Sequence, residues 1–545
     1  MDVAAAFPSV ARGCLLRKMR NTGIDKCLVR WTGSFMEDRR VIMSVDGQDG
    51  KEMAVTTGLP QGSPVSPVLF SLYIADIHKA VEGQVEDCRG ISFVDDVTWI
   101  VEGYDISEVA SKLEKCAAAS LRWAEDNAVR FETSKTEAIL FSRKRKHRQC
   151  QRGIRVGDQM VRFAPGATRW LGIWLDSALT LQENRRRRIG KTRQAKAKIR
   201  RIINQYGVPP GSARALSMSL VQGTMLYAAE PTWNGQKGVE GEYQRAINRM
   251  ARSTLGVFRS TLQGILAAES GHTPARALLD YRQSRFVQLH ARPLRGGGPE
   301  EILECDDGAM VRKLRAAANT RQGETVEPQV WSESKTFPGL CEIAPEAQAL
   351  ETAREWRAQG TIWTDVSRVD DGKVGAACAW QTEDGWTGRL FHLGNNKEVF
   401  DAEIFAIYQA LKVFEAREQA GRKYAVFSDS QAAIRRAATD SMGPGQQWAR
   451  AIIEVADRVM ARGNEISIIW IPAHQGVPGN EVVDGMAKTA AGDTSYEVPD
   501  QVRWQTSLPH LARRATERRA QATTQWVRDH VRPERRYHPP GGSGL

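Results

Sequence analysis

The apolar positions of this 545-residue chain change period several times along its length. Residues 1–180 mix short strand-like runs with helical ones. Within them, ISFVDDVTWIVEG at 91–103 sets Ile91, Phe93 and Val94 before two adjacent acids, and Val97, Trp99, Ile100 and Val101 after them. That pattern predicts strand, tight turn, strand. Residues 185–201, RRRRIGKTRQAKAKIRR, hold ten Lys/Arg and no acid and predict a basic helix. Over 212–290, LSMSLVQGTMLYAAE and YQRAINRMARSTLG carry apolar residues at three- and four-residue steps, which predicts helices. Residues 291–358 have weak periodicity and the breakers RGGGPEE, CDDG and TFPG, and predict a linker.

From residue 361 the pattern changes. TIWTDVS, VGAACAW, GRLFHLG, YAVFSDS and EISIIWIP read as strands, and FDAEIFAIYQALKVFEAREQAG places Ile404, Ile407, Leu411 and Phe414 on one helical face. The order strand–strand–strand–helix–strand–helix–helix–strand–helix predicts an α/β domain on a five-stranded mixed sheet. The Arg-rich end, closing in HPPGGSGL, is expected to be partly disordered. The fold class is therefore multidomain α/β and α+β, with segments 1–180, 181–290, 291–358, 359–493 and 494–545.

Composition narrows the partners. Lys and Arg number 76 against 64 Asp and Glu, a formal net charge of +12. Such a balance favours nucleic acid. The eight cysteines show no metal-knuckle spacing, so no zinc site is expected. No run of about 18 apolar residues suggests a membrane span. The start of the chain lacks a secretory pattern, and the expectation is an intracellular, preferentially nuclear location.

Paired acids resist burial and repel each other, so Asp95 and Asp96 call for cations to share. Mg²⁺ prefers hard carboxylate oxygens. A third carboxylate would complete such a site, and Asp2, in MDVAAAFPSV, is the candidate. Between them GLPQGSPVSPVLFSLYIADI, residues 58–77, predicts a Gly/Pro loop. It leads into a helix capped by Ser66, with Pro67 at its first position. Val68, Leu69, Leu72, Tyr73 and Ile77 would form its apolar stripe.

Together with TSKTEAILF at 133–141 and RWLGIWLD at 169–176, these ordered segments resemble the palm of a non-LTR (LINE-type) retrotransposon reverse transcriptase. The resemblance implies that Asp2, Asp95 and Asp96 bind metal and that Phe7 lies under the nucleotide sugar. It places Gln61, Gly62 and Ser63 against nucleotide and template, and Lys135 near the triphosphate. The family's upstream fingers region has no counterpart before Asp2. A residue so near a chain end is expected to fray and to miss its two partner acids. The expectation is a truncated, inactive polymerase remnant with a helical, thumb-like region after it.

A second set of acids lies in the C-terminal pattern. Asp365 ends one strand, Glu403 opens a helix, Asp429 ends another strand, and Asp484 lies on the helix after the loop holding His474. Carboxylates at strand ends and helix starts can converge on one rim of a sheet and hold two divalent ions. A mobile His beside them could move protons. With SDSQAAI and IPAHQGVPGNEVVD as landmarks, the order resembles ribonuclease H. The resemblance implies two Mg²⁺ ions, with Mn²⁺ as a substitute, on Asp365, Glu403, Asp429 and Asp484, and His474 as assisting base. It puts Asn480 beside the site, Ser430 and Gln431 against nucleic acid, and an RNA–DNA hybrid as substrate. One departure stands out: Val366 follows Asp365 where the family usually has Gly, and a β-branched residue is expected to resist the needed backbone. The competing expectation is a relic that binds nucleic acid without chemistry. Oligomeric state is not legible in the sequence.

Overall fold

The computed structural model describes residues 1–290 apart from 143 and 149, together with 335–355, 360–395, 397–496 and 508–531. The chain divides into two compact units, Met1–Arg187 and Arg188–Leu545. The division falls inside the helix Gln182–Tyr206, which contains the basic run read from the sequence.

The first unit is built on a four-stranded antiparallel sheet. Its strands are β1 (Asp2–Val3), β2 (Cys88–Phe93), β3 (Asp96–Val101) and β4 (Phe131–Glu132), in the spatial order β2-β3-β1-β4. Helix α1 (Ser66–Ile74) and helix α2 (Ile106–Asp126) supply the apolar faces. Asp105 caps α2, its carboxylate accepting from the backbone N–H of Ser107 and Glu108. Val3, Phe70, Tyr73, Val97, Cys116 and Trp123 meet in the core.

The predicted cap of α1 is displaced. Val65 takes the N-cap position, and the Ser66 hydroxyl instead donates to Pro60 O at 2.6 Å. The predicted stripe is also shifted: Val68 is exposed, whereas Phe70 and Ile74 are buried. Ala75 separates α1 from a second short helix starting at Asp76, yet Leu69, Tyr73 and Ile77 are buried in one core with Leu72 packed against it, so the rest of the stripe stands.

The second unit opens with helices over much of 210–290. They are α3 (Pro210–Met225), α4 (Lys237–Leu255), α5 (Gln263–Ser270) and α6 (Ala275–His290). The rest of the unit surrounds a mixed sheet of β5 (Leu340–Glu342), β6 (Gly360–Arg368), β7 (Val374–Thr382), β8 (Gly385–Gly394), β9 (Lys423–Ser428) and β10 (Glu465–Trp470). The order is β5-β10-β9-β6-β7-β8. The pairs β5/β10, β10/β9 and β9/β6 are parallel, and β6/β7 and β7/β8 antiparallel. Helices α7 (Val399–Ala416), α8 (Gln431–Ala437) and α9 (Gln446–Met460) share one core with this sheet. Helix α10 (Pro478–Gly492) contributes Val483 and Ala487 to a second cluster with Trp363 and Phe427.

Two expectations are corrected here. The sheet has six strands, not five, because β5 pairs along β10 and satisfies its edge groups. The segment predicted as linker therefore contributes to the domain: Phe337 is buried in the main core, β5 joins the sheet, and Glu346–Glu355 is helical. Residues 291–334 of that segment lie outside the described residues. The end expected to be partly disordered contains helix α11 (Leu508–Asp529), while 532–545 lie outside the described residues. Helix α11 packs on α5 and α6. Arg519 stacks 4.4 Å from the Tyr281 ring, and His510 and Arg513 both reach Glu398 at the start of α7.

Gly375 sits at a register shift between β7 and β8, where α10 crosses closest. A Cβ there would lie 2.2 Å from Ala491 N and 2.5 Å from Ala487 O, both backbone atoms. Gly375→Ala is expected to destabilise this domain by about 1–3 kcal/mol, read as a lower thermal midpoint with faster hydrogen exchange in β6 and β7.

Candidate functional site

Parallel pairing places the first two acids of the C-terminal set. Thr364 of β6 is in register with Ser428 of β9, so Asp365 and Asp429 follow at the same level of adjacent strands. The Thr364 hydroxyl donates to Phe427 O at 3.0 Å, and the Trp470 indole N–H donates to Asp429 O at 2.9 Å. These bonds fix the backbone on both sides. Glu403 comes from the first turns of α7, whose start is held by a reciprocal cap between Glu398 and Asp401. One carboxylate oxygen from each of Asp365, Glu403 and Asp429 lies within 4.8 Å of the others.

Burial raises all three carboxyls above their ordinary range. Asp365 is 6% exposed and is pushed up to about 7, first by burial and then by the charge of Asp429. Glu403, 5% exposed, is pushed further by burial, then by Asp429 and Asp365. Asp429 is raised by burial and partly relieved by its backbone hydrogen bond and by His474. Glu403 Oε2 is buried and accepts no hydrogen bond from any described group. Three convergent carboxylates with an unsatisfied buried oxygen form a donor set that fits a divalent cation.

The other predicted residues lie around this trio. Asp484 on α10 stands apart from it, its Oδ2 paired with Lys488 Nζ at 2.6 Å. It still adds to the negative field at Asp365 and Asp429. His474 lies exposed in its loop with a left-handed φ of 54°. Asn480 is 3% exposed, and its Oδ1 has no partner among the described residues. Ser430 caps α8, accepting from Ala433 N–H at 3.3 Å. Gln431 Oε1 accepts from Arg435 of the same helix at 3.0 Å.

The expectation for Val366 is overturned. It lies in extended β6, paired with Ala376, and packs against the main core. Its φ is not among the positive values of the chain, so a β-branched side chain suits it. Its N–H donates to Asp365 Oδ1 at 2.6 Å.

The N-terminal acids are also placed differently from expectation. Asp2 is not frayed. It lies inside the sheet, paired with Asp96 on one side and Glu132 on the other. The Val3 N–H donates to Asp95 O and the Met1 nitrogen donates to Val97 O. Backbone bonds on both flanks thus bring Asp2 to its partner acids. Phe93 pairs with Asp96, which leaves Val94 and Asp95 as a two-residue turn. Val94 takes φ 54°, a conformation a β-branched residue adopts only under strain, at a cost of about 1–3 kcal/mol.

Lys135 lies 3.4 Å from Asp2, beside the acids. Phe7 packs on Phe70 with ring centroids 5.6 Å apart. The loop carrying Gln61, Gly62 and Ser63 is tied to the same segment, Gly58 N–H donating to Val10 O and Leu59 N–H to Phe7 O. Gly58 is required there: its φ is 83°, and a Cβ would lie 2.7 Å from Pro8 Cα. Gln61 and Gly62 are exposed. Burial and the charges of Asp95 and Asp2 raise the Asp96 carboxyl, although its nearness to the Met1 amine opposes this. Among the described residues the three N-terminal acids do not gather their oxygens as the C-terminal trio does.

Sequence reading missed Lys488. Its one signal is the four-residue step from Asp484, which puts both on one face of a helix. It also missed Glu398, whose part in holding α7 depends on Arg368, His510 and Arg513 from distant segments.

Comparison with known proteins assigns both regions. Residues 1–175 match the family described as reverse transcriptase (RNA-dependent DNA polymerase), and residues 357–492 match RNase H. The chain is similar to the RNA-directed DNA polymerase from mobile element jockey of Drosophila melanogaster, at 29% identity over 187 residues. The match covers 34% of this chain and 20% of that protein. It is also similar to the Pol polyprotein from type-1 retrotransposable element R2 of Popillia japonica, at 27% identity over 125 residues. That match covers 22% of this chain and 20% of the relative. The chain thus spans about a fifth of the length of the curated relatives it matches. Among solved structures, RNase H1 from Halobacterium salinarum NRC-1 matches at 20% identity, with TM-score 0.17, over 24% of this chain and 97% of that one.

The raised Asp365 carboxyl has a signed consequence. Between about pH 4 and pH 7 the folded state keeps a proton that the unfolded state releases, so metal-free stability falls as pH rises through that window. Asp365→Asn removes the penalty. The metal-free variant is expected to exceed wild type by about 2–4 kcal/mol at pH 8 and to match it at pH 4, as measured by thermal unfolding in chelator.

Proposed function

We propose that this retrotransposon-type chain, which carries a reverse transcriptase domain and an RNase H domain, cleaves the RNA strand of RNA–DNA hybrids. The observation that carries this reading is the convergence of Asp365, Glu403 and Asp429 around a buried oxygen that no described donor satisfies. Asp365, Glu403, Asp429 and Asp484 would hold two divalent ions, Mg²⁺ by preference. Bound there, the ions supply Lewis-acid polarisation of the scissile phosphate and lower the pKa of the attacking water.

The chain's own residues do the rest. Asp365 and Asp429, fixed at one level of adjacent strands, set the spacing of the site. His474, exposed and close enough to stabilise the Asp429 anion, is placed to take a proton from the attacking water or deliver one. Water oxygen bonds to phosphorus, the bond from phosphorus to the 3′-oxygen breaks, and that oxygen leaves with a proton. The products are a 5′-phosphate and a 3′-hydroxyl. Ser430 and Gln431 line the approach of the hybrid, and Asn480 lies buried beside the site.

We read the N-terminal domain as a polymerase remnant with little or no extension activity. What supports this is that the side-chain oxygens of the adjacent Asp2, Asp95 and Asp96 do not gather as those of the C-terminal trio do, with the Lys135 ammonium 3.4 Å from Asp2. The frayed-end argument does not support it, since Asp2 is held in the sheet.

Incubating the full chain with labelled RNA–DNA hybrid and Mg²⁺ is expected to cut the RNA strand. Asp429→Asn should reduce the rate by at least about a hundredfold. Binding without cleavage in wild type would favour a relic that only holds nucleic acid. In primer extension on an RNA template, deoxynucleotide incorporation is expected to be near background. Efficient incorporation abolished by Asp95→Asn would replace the remnant reading.

A further inference from the structure

Lys488 places a cation within the protein at the edge of the carboxylate site. Its ammonium lies 2.6 Å from Asp484 Oδ2, one helical turn away on α10. The Asp484 carboxylate is only 15% exposed, whereas the Lys488 side chain is 61% exposed, so the lysine reaches in from solvent and can swing back out. Its charge is also felt by Asp365, where it opposes the effects of burial and of the neighbouring acids. Of the four ligands predicted in the C-terminal set, Asp484 is the one that the trio does not include.

We infer that Lys488 is a built-in counter-ion that competes with a divalent ion for Asp484 and so sets the metal concentration at which the site fills. The inference rests on the ribonuclease H reading of this site. Without metal, the ammonium balances the charge of Asp484 beside the three crowded carboxylates and spares the fold part of the repulsion that Asp484 adds at Asp365 and Asp429. For Asp484 to ligate a metal ion through Oδ2, the ion pair must open and the lysine must move to water, and a cation at Oδ1 would meet the ammonium's repulsion. The cost of opening a partly exposed pair is modest, and it enters directly into apparent affinity. The lysine is a positioning residue: it acts through Asp484 and makes no contact with substrate in this argument.

The test is calorimetric titration of the full chain with Mg²⁺, and with Mn²⁺ as a second probe, in the absence of nucleic acid. Lys488→Met keeps the aliphatic stem and removes the charge. It is expected to tighten the weaker binding step about threefold to fivefold, and to lower the thermal midpoint of the metal-free protein. Lys488→Arg restores a cation and is expected to return both readouts towards wild type. In hybrid cleavage, the Mg²⁺ concentration giving half-maximal rate should fall for Lys488→Met, while the rate at saturating metal stays within about twofold of wild type. An unchanged binding midpoint in Lys488→Met, with wild type binding metal and cleaving hybrid, would overturn this inference alone. Wild-type protein that bound no divalent ion would overturn both it and the ribonuclease H reading.

Discussion

The C-terminal domain is organised around the repulsion between carboxylates held out of water. Asp365, Glu403 and Asp429 would each be better solvated on a surface, and no apolar packing calls for them where they are. They stay together because the scaffold beneath them is rigid. The parallel register of β6 and β9 sets two of them side by side, and a reciprocally capped helix brings the third. Trp363 stacked on Phe427, with centroids 4.4 Å apart, lies directly below this level. The stability lost to the crowded acids is offset by a core that buries Ile362, Val426, Ile404 and Phe405 completely.

The two acidic sites differ in how their chemistry is supported. In the C-terminal domain the acids come from long, buried elements. In the N-terminal domain they come from a two-residue strand, a two-residue turn and the first position of β3. Backbone bonds compensate for that brevity, but side-chain oxygens at a turn tip have more freedom than those at the end of a buried strand. The left-handed Val94 marks the same contrast. The chain tolerates strain at that turn, and the sheet on either side over-determines it.

Much of this was legible in the sequence, and the failures have physical causes. The strand–turn–strand around Asp95 and the helix around 185–201 follow from period and composition alone. The four acids of the C-terminal set could be ordered along the chain, and three of them do converge. What sequence could not show was anything decided by partners far away. Asp2 looked like a fraying end because its hydrogen bonds come from residues near 95 and 130. Val366 looked unsuitable because a family habit was weighed above its place in an extended strand. The 337–355 segment looked like linker because three strand residues give too short a pattern to detect, yet they pair along β10. Lys488 was passed over because one lysine on an exposed helix face is ordinary until the acid opposite it is known.

The position of β1 bears on the order of folding. Two residues near the start of the sequence occupy an inner place in a sheet whose other strands come from residues 88–101 and 131–132. Such a sheet has high contact order, because its inner strand at residues 2–3 pairs with residues 96 and 131–132. On the ribosome, Asp2 and Val3 must wait for β3 before they find a first partner, and for the segment ending in Glu132 before they find the second. Until β1 docks, the hairpin of β2 and β3 carries an open edge beside the two adjacent aspartates. The charge on that edge would discourage it from pairing with another chain during the wait, so the acids that complicate the finished site would protect the domain while it is being made.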